Sequence, residues 1–226
     1  MPKDVVIRQG ESVALLAERY GFSAHTIWDH PANAELRALR EHMNVLMPGD
    51  IVHVPDRNPH AVDVETDRCH VFRLRGVPSL FRVQLFHNGA ARSDTAFVLE
   101  VGGDVFEGRT DGKGVLEAPV SGRARSGVLT LADDEQPIRL RFGALDPSCE
   151  LSGVKKRLHN LGFLDDPTVA PGGRRLSDAL LDFQARYALD PTGEADDLTR
   201  ARLREVHDTV NDNLGQPEEE PDGSAR

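Results

Sequence analysis

The spacing of apolar residues changes twice along the chain, and this change limits the possible folds more than any other feature. Up to about residue 55, and again from about residue 147 to 207, apolar side chains recur every three or four positions, as in amphipathic helices. Between these regions apolar and polar residues alternate, as in half-buried strands. A length of 226 residues suits two or three compact units. The sequence therefore predicts an α+β multidomain protein with a β-rich unit between two helix-containing units.

Changes in composition set the predicted boundaries of these units. One short stretch contains a proline and many charged residues, and the last residues contain a run of three glutamates and almost no apolar side chain. Such a tail cannot bury enough apolar surface to offset the loss of chain entropy, so we expect it to be disordered. The predicted division is a first unit at 1–56, a linker at 57–67, a central unit at 68–146, a third unit at 147–207 and a disordered acidic tail at 208–226.

The first unit has the signals of two helices between two strands. Ser12 is a favourable N-cap for a helix that Gly21 ends in the C-cap position. Ser23 begins a second helix, and the segment 29–31 breaks it, because the residue before a proline avoids the helical region. The predicted order is a β-like run at 5–8, the two helices, a polar helical stretch at 32–42 and a strand at 51–54.

Four segments of the first unit match a known module in order. They are residues 6–12, 16–21, 26–28 and 46–55, which hold the first turn, the end of the first helix, part of the second helix, and the closing turn and strand. With them the unit resembles the LysM module, which has a βααβ fold, and the stretch inserted after residue 31 departs from that pattern. The resemblance implies binding of N-acetylglucosamine in a groove between the first turn and the loop after the second helix.

The resemblance also implies a glycan-binding site with two walls formed largely by backbone groups. A small residue in the first wall would let the sugar approach the backbone. A purely structural interpretation stays open, because Ser12 also serves as a helix cap and Gly10 also permits the turn. The candidate glycan-binding residues are Gly10, Glu11, Ser12 and Val13 in one wall, and Asp29, His30 and Pro31 in the other.

Short alternating runs separated by turn residues recur through the central unit. Apolar residues alternate at 81–85, 97–101 and 138–142, and turns rich in Gly, Asp and Asn lie between the runs. This pattern predicts an antiparallel β-sandwich in which one face of each strand is buried. The stretch 106–114 resembles part of the small sandwiches of the transthyretin or carboxypeptidase-regulatory kind.

The third unit has the pattern of three helices with apolar stripes. An Asp-Asp pair at 196–197 caps the third of them. Segments 154–163, 179–184 and 191–196 resemble the small three-helix peptidoglycan-binding domain found beside many cell-wall hydrolases, and the stretch 165–177 departs from that pattern. The predicted stripes are Leu151, Val154, Leu158 and Leu161; Leu180, Phe183 and Tyr187; and Leu198, Ala201 and Val206.

Composition and charge argue against several functions. With a formal net charge of -10 the chain would repel a phosphate backbone, so we expect no nucleic-acid partner. No stretch approaches the roughly 20 apolar residues that span a bilayer, so we expect no membrane insertion. The N-terminal residues carry no secretory signal, which predicts cytoplasmic synthesis without a signal peptide. In a reducing compartment Cys69 and Cys149 are expected to be free thiols.

The sequence contains no evident catalytic or metal-binding constellation. The nine histidines form no His-Glu-x-x-His or similar ligand pair on one helix face. Carboxylates are so numerous that a pair suited to glycoside hydrolysis carries no information. We therefore expect a protein that is not an enzyme and that needs no cofactor and no metal.

Two functions fit these observations. In the first, the protein is a non-catalytic accessory protein that binds peptidoglycan glycan strands through two wall-binding modules, each raising the effective concentration of the other. In the second, the protein is a structural or cargo-adaptor component, because its three-part order resembles proteins encoded with type VI secretion or other contractile injection machinery. It would then bind a spike, tube or effector protein rather than glycan, and would be exported with that apparatus.

Overall fold

The computed structural model describes most of the three predicted units. The predicted linker lies mostly outside the described residues, and so does the predicted tail after residue 209. In the described part of the chain, no helix combines the length and the apolar character needed to cross a membrane. The described residues are 2–40, 42–57, 66, 68–69, 79–87, 89–134, 136–171 and 174–209.

The first unit packs short helices against one pair of antiparallel strands. Its elements in chain order are β1 (Lys3–Val6), α1 (Val13–Tyr20), α2 (Ala24–Trp28), a 3₁₀ turn (Pro31–Asn33), α3 (Ala34–Leu39) and β2 (Ile51–Val54). Strands β1 and β2 pair with Val6 opposite Ile51. Leu16 of α1, Ile27 of α2 and Val52 of β2 have no exposed surface, so all three elements share one core.

The ends of α1 are set by the two residues that the sequence predicts. The Ser12 hydroxyl accepts a hydrogen bond from the Leu15 amide at 3.3 Å, which makes Ser12 the N-cap. Gly21 adopts the left-handed conformation, with φ 73°, and its amide donates to the Ala17 carbonyl. Glycine reaches this conformation without the steric cost that a side chain would add.

The inserted helix α3 ends at Leu39, before the predicted end of the helical stretch at residue 42. Arg40 has an extended backbone, and its guanidinium donates two hydrogen bonds to the Asp50 carboxylate at 2.8 and 2.9 Å. Burial raises the pKa of Asp50, but the contacts with Arg40 and with the Met47 amide outweigh burial and hold that pKa below its ordinary value. The helix stops early because Arg40 leaves it to reach the turn before β2.

The central unit consists of antiparallel strands. In chain order they are β3 (Ser79–Gln84), β4 (Phe86–His87), β5 (Ala90–Ala91), β6 (Ala96–Val101), β7 (Asp104–Arg109), β8 (Val115–Val120), β9 (Ser126–Leu131) and β10 (Ile138–Arg141). Four of them form a sheet in the order β10-β9-β6-β7, and β3 pairs with β8. Both sheets contribute to one apolar core, with Leu99 and Leu129 from the first and Leu116 and Ala118 from the second.

The third unit packs three helices around its own core. They are α4 (Leu151–Asn160), α5 (Arg174–Arg186) and α6 (Asp197–Asp208). Leu158 from α4, Phe183 from α5 and Leu203 from α6 have no exposed surface. The predicted stripes of the first two helices therefore lead into this core.

The stripe predicted for α6 is partly wrong. Leu198 is 72% exposed, and Ala201 also faces outward. The residues that α6 buries are Thr199, Leu203 and Val206. The Asp196 side chain accepts a hydrogen bond from the Thr199 amide at 2.7 Å, and this cap starts the helix with Thr199 on its inner side.

A buried arginine joins the third unit to the end of the central unit. The side chain of Arg157 is 1% exposed. Its Nε and Nη2 donate to the Asp208 carboxylate at 3.0 and 2.8 Å, and its Nη1 donates to the Asp146 carbonyl at 2.9 Å. Asp208 ends α6 and Asp146 lies before α4, so one guanidinium holds both segments.

Lowering the pH is expected to destabilise the fold through Asp208. Burial raises the pKa of this carboxyl, but hydrogen bonds from His207 and Arg157 lower it more, and the net shift is downward. The stabilisation is complete above the ordinary aspartate pKa of about 3.9 and is lost as the pH falls through the lowered folded-state pKa. Urea denaturation at a series of pH values should show the free energy of unfolding falling in that range.

Two variants separate Asp208 from the other carboxyl groups. Asp208→Asn should be less stable at neutral pH, and its stability should decline less steeply in acid, because one depressed pKa has been removed. Asp182→Asn changes an exposed carboxyl of α5 and should behave as the wild type. An unchanged acid slope in Asp208→Asn would contradict this account.

Candidate functional site

Two of the four residues of the first predicted wall are buried. Val13 has no exposed surface, and Ser12 is 9% exposed and caps α1. The Glu11 carboxylate accepts hydrogen bonds from the Arg8 amide at 3.0 Å and from Arg19 at 2.9 Å. Of the four wall residues, Gly10 and Glu11 are partly exposed, and Ser12 and Val13 are buried.

The central unit covers the turn at Gly10. Arg125 Nη1 donates to the Gly10 carbonyl. Gly143 lies so close that a Cβ at its position would be 2.7 Å from the Gly10 oxygen. At Gly122 a Cβ would lie 3.0 Å from the Ala14 backbone. Two glycines thus allow the central unit to approach the first wall at backbone distance.

Polar contacts beside these glycines hold the same two units together. The Ser121 hydroxyl donates to Glu18 at 2.9 Å, and Arg123 pairs with the same carboxylate at 2.8 Å. The Arg40 guanidinium also reaches the third unit, with Nη1 3.9 Å from the Cys149 sulfur. The predicted first wall is therefore an interface inside the protein.

Within the described residues, the second predicted wall contacts residues of the first unit. His30 stacks on His53 with ring centroids 4.9 Å apart, and Arg37 Nη1 donates to the His30 carbonyl at 2.9 Å. Asp29 and Pro31 are exposed. Contacts with His53 and Arg37 thus fix the inner side of this loop, and its outer surface is exposed. The first wall, in contrast, is covered by the central unit.

In the third unit a fully buried amide organises the loop between α5 and α6. Gln184 Nε2 donates to Thr192 Oγ1 at 2.9 Å, to the Glu194 carbonyl at 3.0 Å and to Thr199 Oγ1 at 2.9 Å. Its Oε1 accepts a hydrogen bond from the Gly193 amide at 2.9 Å. Gln184 has no exposed surface, so these partners replace all of its contacts with water.

The loop after α4 is held by two side chains of that helix. Lys155 Nζ donates to the Val169 carbonyl at 2.8 Å, and His159 Nδ1 lies 2.8 Å from the Leu164 carbonyl oxygen. Within the loop, Asp166 accepts hydrogen bonds from the amide and the hydroxyl of Thr168 at 2.8 and 2.7 Å. These contacts lie within the stretch 165–177, where the sequence departs from the pattern it resembles.

An aromatic cluster lies where α4 and α5 meet α6. Phe163 packs edge-on against the buried Phe183, at 5.4 Å between centroids, and Tyr187 packs against Phe183 at 4.7 Å. Phe163 and Tyr187 are both partly exposed. The Arg202 guanidinium lies over the Tyr187 ring at 5.3 Å. Burial raises the pKa of Tyr187, so its hydroxyl stays protonated.

These features were not predicted from the sequence as site residues. Gln184 is the last residue of the matching segment 179–184, and Arg202 lies outside all three matching segments. A signal for the buried amide was present, since Gln184 follows the core residue Phe183 and two threonines and a glycine occur shortly after it. Among the described residues, no group of three or more His, Cys, Asp or Glu side chains is placed to hold a metal ion.

Residues 150–203 match the family model of the peptidoglycan binding domain. The match spans α4, the loop after it, α5 and most of α6, so the third unit is similar to this family in sequence and consists of three helices. The match does not extend to the first or the central unit. No curated protein and no solved structure matches the chain.

Removing the buried amide should destabilise the third unit. Gln184→Leu keeps a similar volume but leaves the Gly193 amide and two threonine hydroxyls without their partner. We expect a loss of about 1–3 kcal/mol in the free energy of unfolding, measured by urea denaturation. The control Asp182→Ala, at an exposed position of the same helix, should cost much less. Equal stability of both variants would show that the amide network does not support the loop.

Gly143→Ala should loosen the first unit from the central unit. The added Cβ would meet the Gly10 oxygen, and the backbone φ of 69° adds strain. Hydrogen exchange should therefore become faster at amides of residues 10–18. Gly89→Ala shares the positive φ but has no heavy atom within 4 Å of its Cβ position, so it controls for strain alone. Equal exchange at residues 10–18 in the two variants would contradict the close approach.

Proposed function

We propose that this protein is a non-catalytic peptidoglycan-binding protein and that residues 150–203 make the main contact with the polymer. The family match over these residues carries the proposal. It is supported by the intact polar network around Gln184, which holds the loop between α5 and α6 in one shape. A preformed surface loses less conformational entropy on binding than a mobile one.

Within this domain we propose the aromatic cluster as the contact surface. Partly exposed rings at Phe163 and Tyr187 offer apolar faces on which a sugar ring can stack. Arg202 beside them pairs with Glu205 at 2.6 Å and offers its remaining N–H groups to polar groups of the polymer. Because the side chain of Arg202 is only partly exposed and packs on Tyr187, its guanidinium is held in place.

The first unit is proposed to be a LysM-like module, and its role in glycan binding is narrower than its sequence predicts. The open surface at Asp29, His30 and Pro31 remains available to a sugar. The opposite wall at Gly10 is engaged by Arg125. A glycan that used both walls would have to displace the central unit, which costs the contacts at Glu18 as well.

That same contact favours the second candidate function, a structural or cargo-adaptor component of a type VI secretion or contractile injection apparatus. The first unit already uses its groove wall to bind protein, namely the central unit, at backbone distance. A module whose groove wall packs against protein is suited to binding protein rather than glycan. In this role the protein would bind a spike, tube or effector protein and leave the cell with it.

Co-sedimentation with purified peptidoglycan sacculi separates these proposals. We expect the wild-type protein to pellet with sacculi, and Arg202→Ala to pellet less, because a cation of the contact surface is lost. Arg109→Ala removes an equally charged arginine from the central unit and should pellet as the wild type. Soluble chitooligosaccharide should release little protein if the third unit makes the main contact.

The opposite outcomes have defined meanings. Release by chitooligosaccharide would assign binding to the first unit instead. If the wild-type protein stays in solution, the peptidoglycan proposal is wrong and the role in an injection apparatus remains. The protein should then co-purify with a spike or tube protein. Release of soluble fragments from the sacculi during incubation would show that the protein cleaves peptidoglycan and is an enzyme.

A further inference from the structure

Two arginines of the central unit project from one face of the four-stranded sheet. Arg139 and Arg141 occupy alternate positions of β10, and the residues between and after them, Leu140 and Phe142, pack toward the core. Alternate residues of a strand share a face. Both arginines therefore point outward, with their Cα atoms about 6.6 Å apart along the strand.

Among the described residues, these two arginines have no ion-pair partner, unlike several other arginines of the central unit. Arg82 pairs with Glu117 at 2.7 Å, and Arg109 pairs with Asp94 at 2.6 Å. Arg92 is bound to Asp134 at 2.6 Å. Within the described residues, neither arginine of β10 makes an ion pair, and both are exposed. In a chain with a formal net charge of -10, this unneutralised pair is a local exception.

The arginines line an open cleft in the described part of the chain. The cleft encloses about 640 Å³ on the outer face of the sheet. Its other lining includes Val128 of β9, Val105 of β7 and the glycine turn between β6 and β7. Val105 is 59% exposed, so the floor of the cleft offers apolar surface.

An acidic side chain faces the arginines across this cleft. The strand register places Arg139 beside Val128, Val128 beside Glu100, and Glu100 beside Val105. Two strand spacings separate the backbones of Arg139 and Glu100, which is about 10 Å. Asp104 adds a second carboxylate to the lining. The cleft thus has a cationic side, an apolar floor and an anionic side.

We infer that this cleft binds the short peptide arm of peptidoglycan. Such a peptide carries free carboxylates and, where it is not cross-linked, an amine. The carboxylates would lie on Arg139 and Arg141 and the amine on Glu100, while aliphatic side chains cover Val105 and Val128. The inference rests on the proposed function, and it assigns the peptide to the central unit and the polymer contact to the third unit.

The arrangement disfavours an acidic protein segment as the ligand. Glu100 and Asp104 would repel a peptide that carries only negative charge. The cleft is also no wider than four strands, about 15 Å, which suits a few residues. A short peptide with both charge signs matches the cleft in size and in charge pattern.

The test uses a soluble disaccharide-peptide released from sacculi by a glycosidase, titrated into the full chain by calorimetry. We expect Arg139→Ala/Arg141→Ala to bind it at least about tenfold more weakly than the wild type. The matched control Arg82→Ala/Arg109→Ala removes the same charge from exposed positions of the same unit and should bind normally. The disaccharide without its peptide, and the disaccharide-peptide with amidated carboxylates, should bind weakly to all variants.

Sacculus pelleting in parallel distinguishes failure of this inference from failure of the proposed function. If the wild type pellets while the disaccharide-peptide binds both double variants equally, the inference is wrong and the proposed function stands. If the wild type neither pellets nor binds the disaccharide-peptide, both are wrong. If a purely acidic peptide binds the wild type as tightly as the disaccharide-peptide, the cleft recognises protein, and the assignment to peptidoglycan is overturned.

Discussion

The placement of the third unit depends on the buried guanidinium of Arg157. A charge taken out of water is tolerated in a fold only when hydrogen bonds and an opposite charge replace its hydration. Here each guanidinium nitrogen has a partner, either the Asp208 carboxylate or a backbone carbonyl. One of those carbonyls belongs to Asp146, where the chain leaves the central unit, so α4 and α6 cannot pack without fixing that segment as well. Lys156 strengthens the same junction by donating to the Asp146 carboxylate at 2.7 Å.

The junction between the first and central units depends on close approach of two backbones and not on a buried charge. Gly122 and Gly143 lack the Cβ atoms that would meet Ala14 and Gly10. Charged contacts then surround the close approach, with Arg123 on Glu18 at its edge. Because surface ion pairs contribute little by themselves, the glycines and the burial beside them decide the geometry. The consequence is functional, since the covered turn is one wall of the predicted sugar groove.

Peptidoglycan is a repetitive polymer, and contacts with it are individually weak because sugar hydroxyls exchange one hydrogen bond for another. A protein gains affinity for such a ligand by presenting several surfaces at once. The proposed surfaces are the aromatic cluster of the third unit and the arginine-lined cleft of the central unit. The contacts of Arg157 join the third unit to the end of the central unit, so the two proposed surfaces are connected by a fixed junction.

Much of the local structure followed from the sequence alone. Ser12 and Gly21 identified the ends of α1 because capping depends on neighbouring residues. The period of the apolar residues separated helices from strands, and three short segments were enough to indicate the domain that the family model matches at 150–203. The prediction for α6 was less accurate, because the cap at Asp196 turned Thr199 rather than Leu198 toward the core.

What the sequence could not determine depends on contacts between residues distant in the chain. Only the tertiary structure showed that Arg125 and Gly143 cover Gly10. The residues around position 10 do not encode which distant surface packs against them. The early end of α3 depended on Asp50, and the outward pair Arg139 and Arg141 acquired its acidic counterpart through strand register. Local propensity is encoded within a few residues, whereas a binding surface is formed by side chains that only the packed fold brings together.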